Sequence, residues 1–258
     1  MNISEEKYSS LEKLFDSRTA EFRRKGNLLF KNYYFLTKEI KDNLEYLINK
    51  PYILGSGIPI DEFFINDSFK GVVINYFKDA VSFSKVNNFS IEEKIKACND
   101  ISRQLNELHD YGMCFNDIQC DNLLIDKDGG HLIDFDSSTF VGSTEYSCRY
   151  RLIDTDGNDV LSSVNGDLYK ALICYLSIFY NMDLEKMLKY NGILSVSSVS
   201  NLFENTSIEE LVSNITKDIF SDNNELLPNM EVFLPFILDE ERFNYDINIL
   251  KDKVKTLG

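Results

Sequence analysis

Apolar residues recur along the chain with two different periods, and the change from one to the other divides it. Up to about residue 77 the apolar runs are short. "TAEFRRKG" and "NLLFKNYYF" flank a turn at Lys25-Gly26, the pattern of a β-hairpin. Leu36, Ile40, Leu44, Leu47 and Ile48 then fall at helical spacing, and Pro51 closes that helix. "YILGSGIPIDEFFINDSFKGVVINYF" offers two extended stretches about the turn-rich "NDSFKG", which predicts a second hairpin. From Ser90 the period becomes helical: Ile91, Ile95, Cys98, Ile101, Leu105 and Leu108 form one stripe, with Ser90 as N-cap and Glu93 completing a capping box. Gly112 ends this helix. "NLLID" and "HLIDFD", separated by "KDGG", read as a further hairpin, and "DLYKALICYLSIFYN", apolar nearly all round, reads as a helix buried on every side. From Met182 to Gly258 a mixed helical pattern continues without a motif. The pattern predicts an α+β chain, with a small β-rich lobe carrying one helix over residues 1–77 and a larger helical lobe over 78–258.

Composition narrows the class without changing this layout. At 258 residues and 43% hydrophobic, the chain is long enough for one large core or two smaller ones. A formal charge of -15 argues against nucleic acid or an anionic membrane surface as the main partner, because both repel it at long range. No apolar run reaches the roughly 18 residues that span a bilayer. The acidic, polar start "MNISEEKYSSLEKLF" does not read as a secretory signal, so a cytoplasmic protein is expected. The five cysteines, Cys98, Cys114, Cys120, Cys148 and Cys174, contain no C-x-x-C pair and read as small buried hydrophobes in a reducing compartment. His109 and His131 are too few and too separated for a metal cluster.

The chemistry concentrates in "FNDIQCDNLLIDKDGGHLIDFDSS", Phe115 to Ser138. Asp117 is followed five positions later by Asn122, then by an apolar strand, a turn, and a second strand ending in Asp134-Phe135. This order resembles the catalytic loop and metal loop of protein kinases, and the resemblance runs from about Phe22 to Tyr180. It implies a bilobal protein kinase-like fold that uses ATP and magnesium (Mg2+). Asp117 would be the catalytic base, Asn122 and Asp134 the metal ligands, and Phe135 would pack beneath. "LNELHDYGMCFND" is similar to the family's central helix running into that loop, with His109 as a structural residue. Asp167 resembles the family's anchor, which accepts backbone hydrogen bonds from the catalytic loop; a plain helix cap is the alternative. "VVINYFKD" is similar to the family's hinge, which implies purine contacts from the backbone of Asn75 and Phe77, Ile74 behind the ring and Leu124 beneath it. Ordinary core would account for the same apolar side chains. Lys31 takes the place of the phosphate-binding lysine, with Glu45, or else Glu39, as its helix partner; a solvated strand-end lysine is the alternative.

The chain departs from the family in four places. No Gly-x-Gly-x-x-Gly is present, and "DSRTAEF", with Ser17, Thr19 and Ala20, stands in its position. Phe115-Asn116-Asp117 replaces His-Arg-Asp, and the missing arginine implies that activity needs no phosphorylated activation segment. Gln119 stands where a lysine that helps neutralise the transferring phosphoryl is usual in Ser/Thr kinases. No Ala-Pro-Glu follows, although Ser137, Ser138, Thr139, Thr144 and Tyr146 offer hydroxyls in what reads as an exposed polar loop. Three functions fit: an atypical protein kinase acting on a protein hydroxyl, a pseudokinase that regulates a partner, and a small-molecule kinase similar to aminoglycoside and choline phosphotransferases. The acceptor, protein or small molecule, is unidentified, and neither nucleic acid nor membrane is expected as a partner.

Overall fold

The computed structural model describes residues 1–86, 88–144, 148–221 and 226–257. The first strands are β1 (Asn2–Ile3), β2 (Glu12–Asp16), β3 (Ala20–Lys25), β4 (Leu28–Tyr33), β5 (Asp61–Ile65) and β6 (Ser68–Asn75), with helices α1 (Glu5–Ser9) and α2 (Lys38–Ile48) among them. Among the described residues these strands form one sheet in the order β1-β5-β6-β4-β3-β2. Both expected hairpins are present: β3 pairs antiparallel with β4, and β5 with β6. A short α1 and the edge strand β2 precede them, and the sequence pattern did not announce either. In α2 the N-cap Thr37 hydroxyl accepts the Ile40 N–H at 3.2 Å, and the helix buries Asn43, Leu44 and Leu47. Ile3, Tyr8, Phe30, Phe63, Ile65 and Val73 make a small core on this sheet.

A second, larger core is built around two helices. α3 (Ile91–Asp110) carries the expected capping box at Ser90 and Glu93, and α4 (Val164–Tyr180) is buried along almost its whole length. Against them lies a three-stranded sheet of β7 (Val81–Ser82), β9 (Leu123–Asp126) and β10 (Gly129–Leu132) in the order β10-β9-β7. The short β8 (Met113–Cys114) pairs with β11 (Thr139–Phe140). β12 (Arg151–Ile153) pairs with β13 (Asp159–Val160) and with β14 (Ile193–Ser195). The helices α5 (Leu184–Leu188), α6 (Val196–Phe203), α7 (Glu209–Ile219), α8 (Leu234–Ile237) and α9 (Glu240–Leu257) complete this part. The architecture is a β-sheet N-terminal region followed by a helical C-terminal part. Among the described residues no helix is long and apolar enough to cross a membrane. All five cysteines are free thiols, and four of them are buried.

The β9–β10 hairpin sits directly on α3. Gln104, fully buried on that helix, donates from its amide to the Gly130 carbonyl at 2.7 Å and accepts the Leu132 N–H at 2.8 Å. The turn differs from the expected "KDGG" one. Lys127 and Asp128 form it, the Asp126 carboxylate caps it, and both glycines belong to the strand. Packing is the reason: a Cβ on Gly130 would lie 2.1 Å from the Ala97 carbonyl oxygen of α3. Gly130→Ala is therefore expected to destabilise the protein by about 3 kcal/mol, the overpacking range, measured as a lower urea midpoint at unchanged slope.

Candidate functional site

Strand register places the hairpin's two candidate metal ligands together. Leu132 faces Leu123, and one step further Ile133 donates its N–H to the Asn122 carbonyl at 3.0 Å, so Asn122 and Asp134 leave the hairpin at the same end. Asp134 adopts a left-handed conformation, φ 71° and ψ 67°, which is costly for a residue with a β-carbon and concentrates at functional sites. Phe135 behind it is buried and meets Phe115 edge-on at 5.2 Å.

The loop before the hairpin is held from below by Asp167, in the first turn of α4. Its carboxylate accepts the Phe115 N–H at 2.6 Å and the Asn116 N–H at 2.8 Å, and lies 3.1 Å from His109 Nε2. Asp167 thus has the anchoring geometry, with the largely buried His109 side chain against it. Asn116, at φ 66°, donates its amide to the Ser137 carbonyl and the Thr139 hydroxyl, joining this loop to the segment after Asp134. Asp117 follows, partly buried. Its Oδ2 accepts from Gln119 Nε2 at 2.8 Å and Asn122 Nδ2 at 3.1 Å, and its Oδ1 accepts the Arg149 N–H at 2.6 Å. With its nitrogen turned to Asp117, the Asn122 side chain keeps its oxygen as the end able to ligate a cation.

Lys31, on β4, is buried and reaches across to the hairpin, where its amine lies 2.5 Å from Asp134 and 2.6 Å from Asp136. Burial alone would push this amine down, but the two carboxylates outweigh it and hold it above its ordinary value. One cation does not neutralise two anions at this range. Burial, assisted by the Asp134 charge, accordingly pushes the Asp136 carboxyl up despite Lys31. Asp136 also accepts from the Tyr33 hydroxyl at 2.6 Å, and burial, then Asp136, pushes that phenol well up. The expected Lys31–Glu45 pair is not formed, nor is the Glu39 alternative. Both glutamates are exposed, and α2 turns Asn43 inward instead, bonded to the Ser138 carbonyl at 3.1 Å.

A cavity of about 670 Å³ joins these residues. Ile74, Asn75, Phe77 and Leu124 line it together with Lys31, Asn122 and Asp134, so the expected pocket residues share one space. Leu28 and Asn75 are paired across β4 and β6, and Tyr76 spends its N–H on the Asn27 carbonyl, so strand alternation turns the Asn75 carbonyl and Phe77 N–H away from β4. The turn in the position of the glycine-rich loop joins β2 to β3 and lines the same cavity through Ser17, Arg18 and Thr19. It is closed on itself, since the Ser17 hydroxyl accepts the Thr19 and Ala20 N–H groups.

Several contributors escaped the sequence reading. Asp136 stands two residues after Asp134 and was legible only as a neighbour in "DFDSS". Lys170, buried within α4, donates to the Asn116 carbonyl at 2.8 Å. Glu185 accepts the Cys120 N–H at 3.1 Å and so fixes the loop between Asp117 and Asn122. Arg149 bonds to Gln119 and Asp121. The segment read as an exposed polar loop is partly internal: Ser138 and Thr139 are buried, Thr144 is exposed, and Tyr146 lies outside the described residues.

No family model matches the chain, and no curated protein does. Among solved structures it is similar to the kinase PK-1 of Cydia pomonella granulovirus, with a TM-score of 0.51 at 16% identity, covering 69% of this chain and 71% of that one. The chain has a kinase-like fold. At this identity the likeness is one of architecture.

Two outcomes follow from the electrostatics. Asp167→Ala strands two buried N–H groups and is expected to cost on the order of 3 kcal/mol in denaturant unfolding. For Asp136 the folded carboxyl titrates above the unfolded one, near about 3.9. Its stabilising contribution is therefore complete in acid and is lost as pH rises through the folded value. Asp136→Asn is expected to remove that falling limb from a plot of unfolding free energy against pH.

Proposed function

We propose that the chain is an ATP-dependent phosphotransferase of bilobal, protein kinase-like architecture, with a protein hydroxyl as acceptor. The observation that carries this reading is the convergence of Lys31, Asn122 and Asp134 on one cavity, with Asp117 bonded to Asn122 at its edge. The cavity has the size of a nucleotide-type site, and the carboxylate oxygens gathered at its wall suit a divalent cation. Asp134 and the Asn122 oxygen are the hard donors that would hold magnesium, which when bound neutralises phosphate charge. Lys31 is placed to exchange a carboxylate contact for a phosphate oxygen. Asp117 takes the proton of the acceptor hydroxyl as the new oxygen–phosphorus bond forms and the bond to the bridging oxygen breaks, releasing ADP with that electron pair.

The closed Ser17 turn favours a second reading, a kinase-shaped binding module, because backbone N–H groups that would cradle phosphates are already spent. Titration calorimetry with ATP separates the two. Magnesium-dependent binding is expected, weakened at least about tenfold in Asp134→Asn, while Asp117→Asn retains binding and loses phosphate transfer by about 100-fold or more. Native protein that binds no nucleotide with or without magnesium would sink the enzyme reading.

A further inference from the structure

Gln119 occupies the place of a lysine that would neutralise the transferring phosphoryl, and the structure shows what it holds instead. We infer that Arg149 brings that positive charge, with Gln119 as its bracket, an inference that rests on the phosphotransferase reading. The amide of Gln119 uses both ends, donating to Asp117 Oδ2 at 2.8 Å and accepting from the Arg149 guanidinium. A lysine at 119 has no acceptor and would repel the guanidinium, so glutamine here and arginine there are mutually consistent. Asp121 adds a second support at 3.1 Å.

The backbone of Arg149 is fixed as well. Its N–H bonds to Asp117, and the next residue, Tyr150, is buried, donates its hydroxyl to the Ile118 carbonyl at 3.0 Å, and lies under the amines of Lys170 and Lys189. The guanidinium itself stays half exposed, with 52% of the side chain accessible, and lines the cavity beside Asn122 and Asp134. Two other cations line this cavity. Lys31 lies between Asp134 and Asp136 on the β4 side, and Arg18 belongs to the β2–β3 turn. Arg149 alone of the three is tied to the candidate base. As the acceptor oxygen bonds to the γ-phosphorus, the bridging bond breaks toward ADP and the acceptor proton passes to Asp117. The equatorial oxygens then carry charge that a planar, multi-donor guanidinium matches.

The test compares binding of ADP with magnesium to binding of ADP, magnesium and aluminium fluoride, which mimics the transferring phosphoryl. In wild type the fluoride complex binds more tightly. Arg149→Ala is expected to keep ADP affinity within about twofold and to lose roughly tenfold or more of the gain from aluminium fluoride, with Arg149→Lys recovering part of it. Arg18→Ala serves as the comparison, weakening both complexes alike. A full gain retained in Arg149→Ala overturns the inference, as does equal weakening of both complexes in that variant, which marks a merely structural arginine. Wild type that binds ADP with no gain from fluoride overturns the role of Arg149 while leaving the nucleotide site standing. Wild type that binds no nucleotide overturns the phosphotransferase reading and this inference with it.

Discussion

The carboxylate of Asp167 is the fixed point of the site. It is almost fully buried, yet it sits in the first turn of α4, where the helix dipole and two backbone N–H groups stabilise its charge. By accepting from Phe115 and Asn116 it forces the chain to turn, and Asn116 takes the left-handed conformation that sends Asp117 outward. Lys170, one turn further along the same helix, donates to the Asn116 carbonyl. A single helix thus satisfies both backbone groups of Asn116, whose side chain is then free to bind the segment after Asp134. Positioning of Asp117, Asn122 and Asp134 relative to one another follows from that one buried contact and from the register of the β9–β10 hairpin.

Lys31 ties the N-terminal sheet to this assembly. Its partners come from the hairpin and not from α2, and helix geometry explains why. Asn43, Leu44 and Leu47 face inward, and Glu45 lies about 200° round the helix from Asn43, on the solvent side. The helix contributes an amide to the Ser138 carbonyl and no charge to Lys31. The lysine therefore stands against two carboxylates on its own, and burial, assisted by the Asp134 charge, still raises the Asp136 carboxyl.

Where periodicity was strong, the fold was legible. The stripe from Ile91 to Leu108 and the all-apolar run of α4 fell where the pattern placed them, and the hairpin formed with its turn narrowed to Lys127-Asp128, leaving Asn122 and Asp134 at one end. What stayed hidden has identifiable causes. β2 reads "EKLFD" and is largely exposed at a sheet edge, so no buried face imposes alternation on it. Lys170 and Glu185 look like ordinary charges until the loop they hold is seen in three dimensions. Arg149 stands in a stretch without regular structure, where no period links it to a loop thirty residues earlier. The pairing of Lys31 was misjudged because sequence order suggests a helix partner, while burial geometry decides it.

Phe115, Asn116 and Gln119 of the loop make contacts that fit together. Phe115 makes an aromatic contact with Phe135, an apolar support beneath Asp134. Asn116 reaches the Ser137 carbonyl and the Thr139 hydroxyl directly, so the segment after Asp134 is fastened by neutral hydrogen bonds. Burial of Ser138 and Thr139 agrees with this, since a hydroxyl enclosed in that junction is a poor target for modification. Gln119 completes the set by giving Asp117 a donor and Arg149 an acceptor. All three side chains are uncharged, and each meets a partner from elsewhere in the fold, which is what a loop built to stay in one arrangement requires.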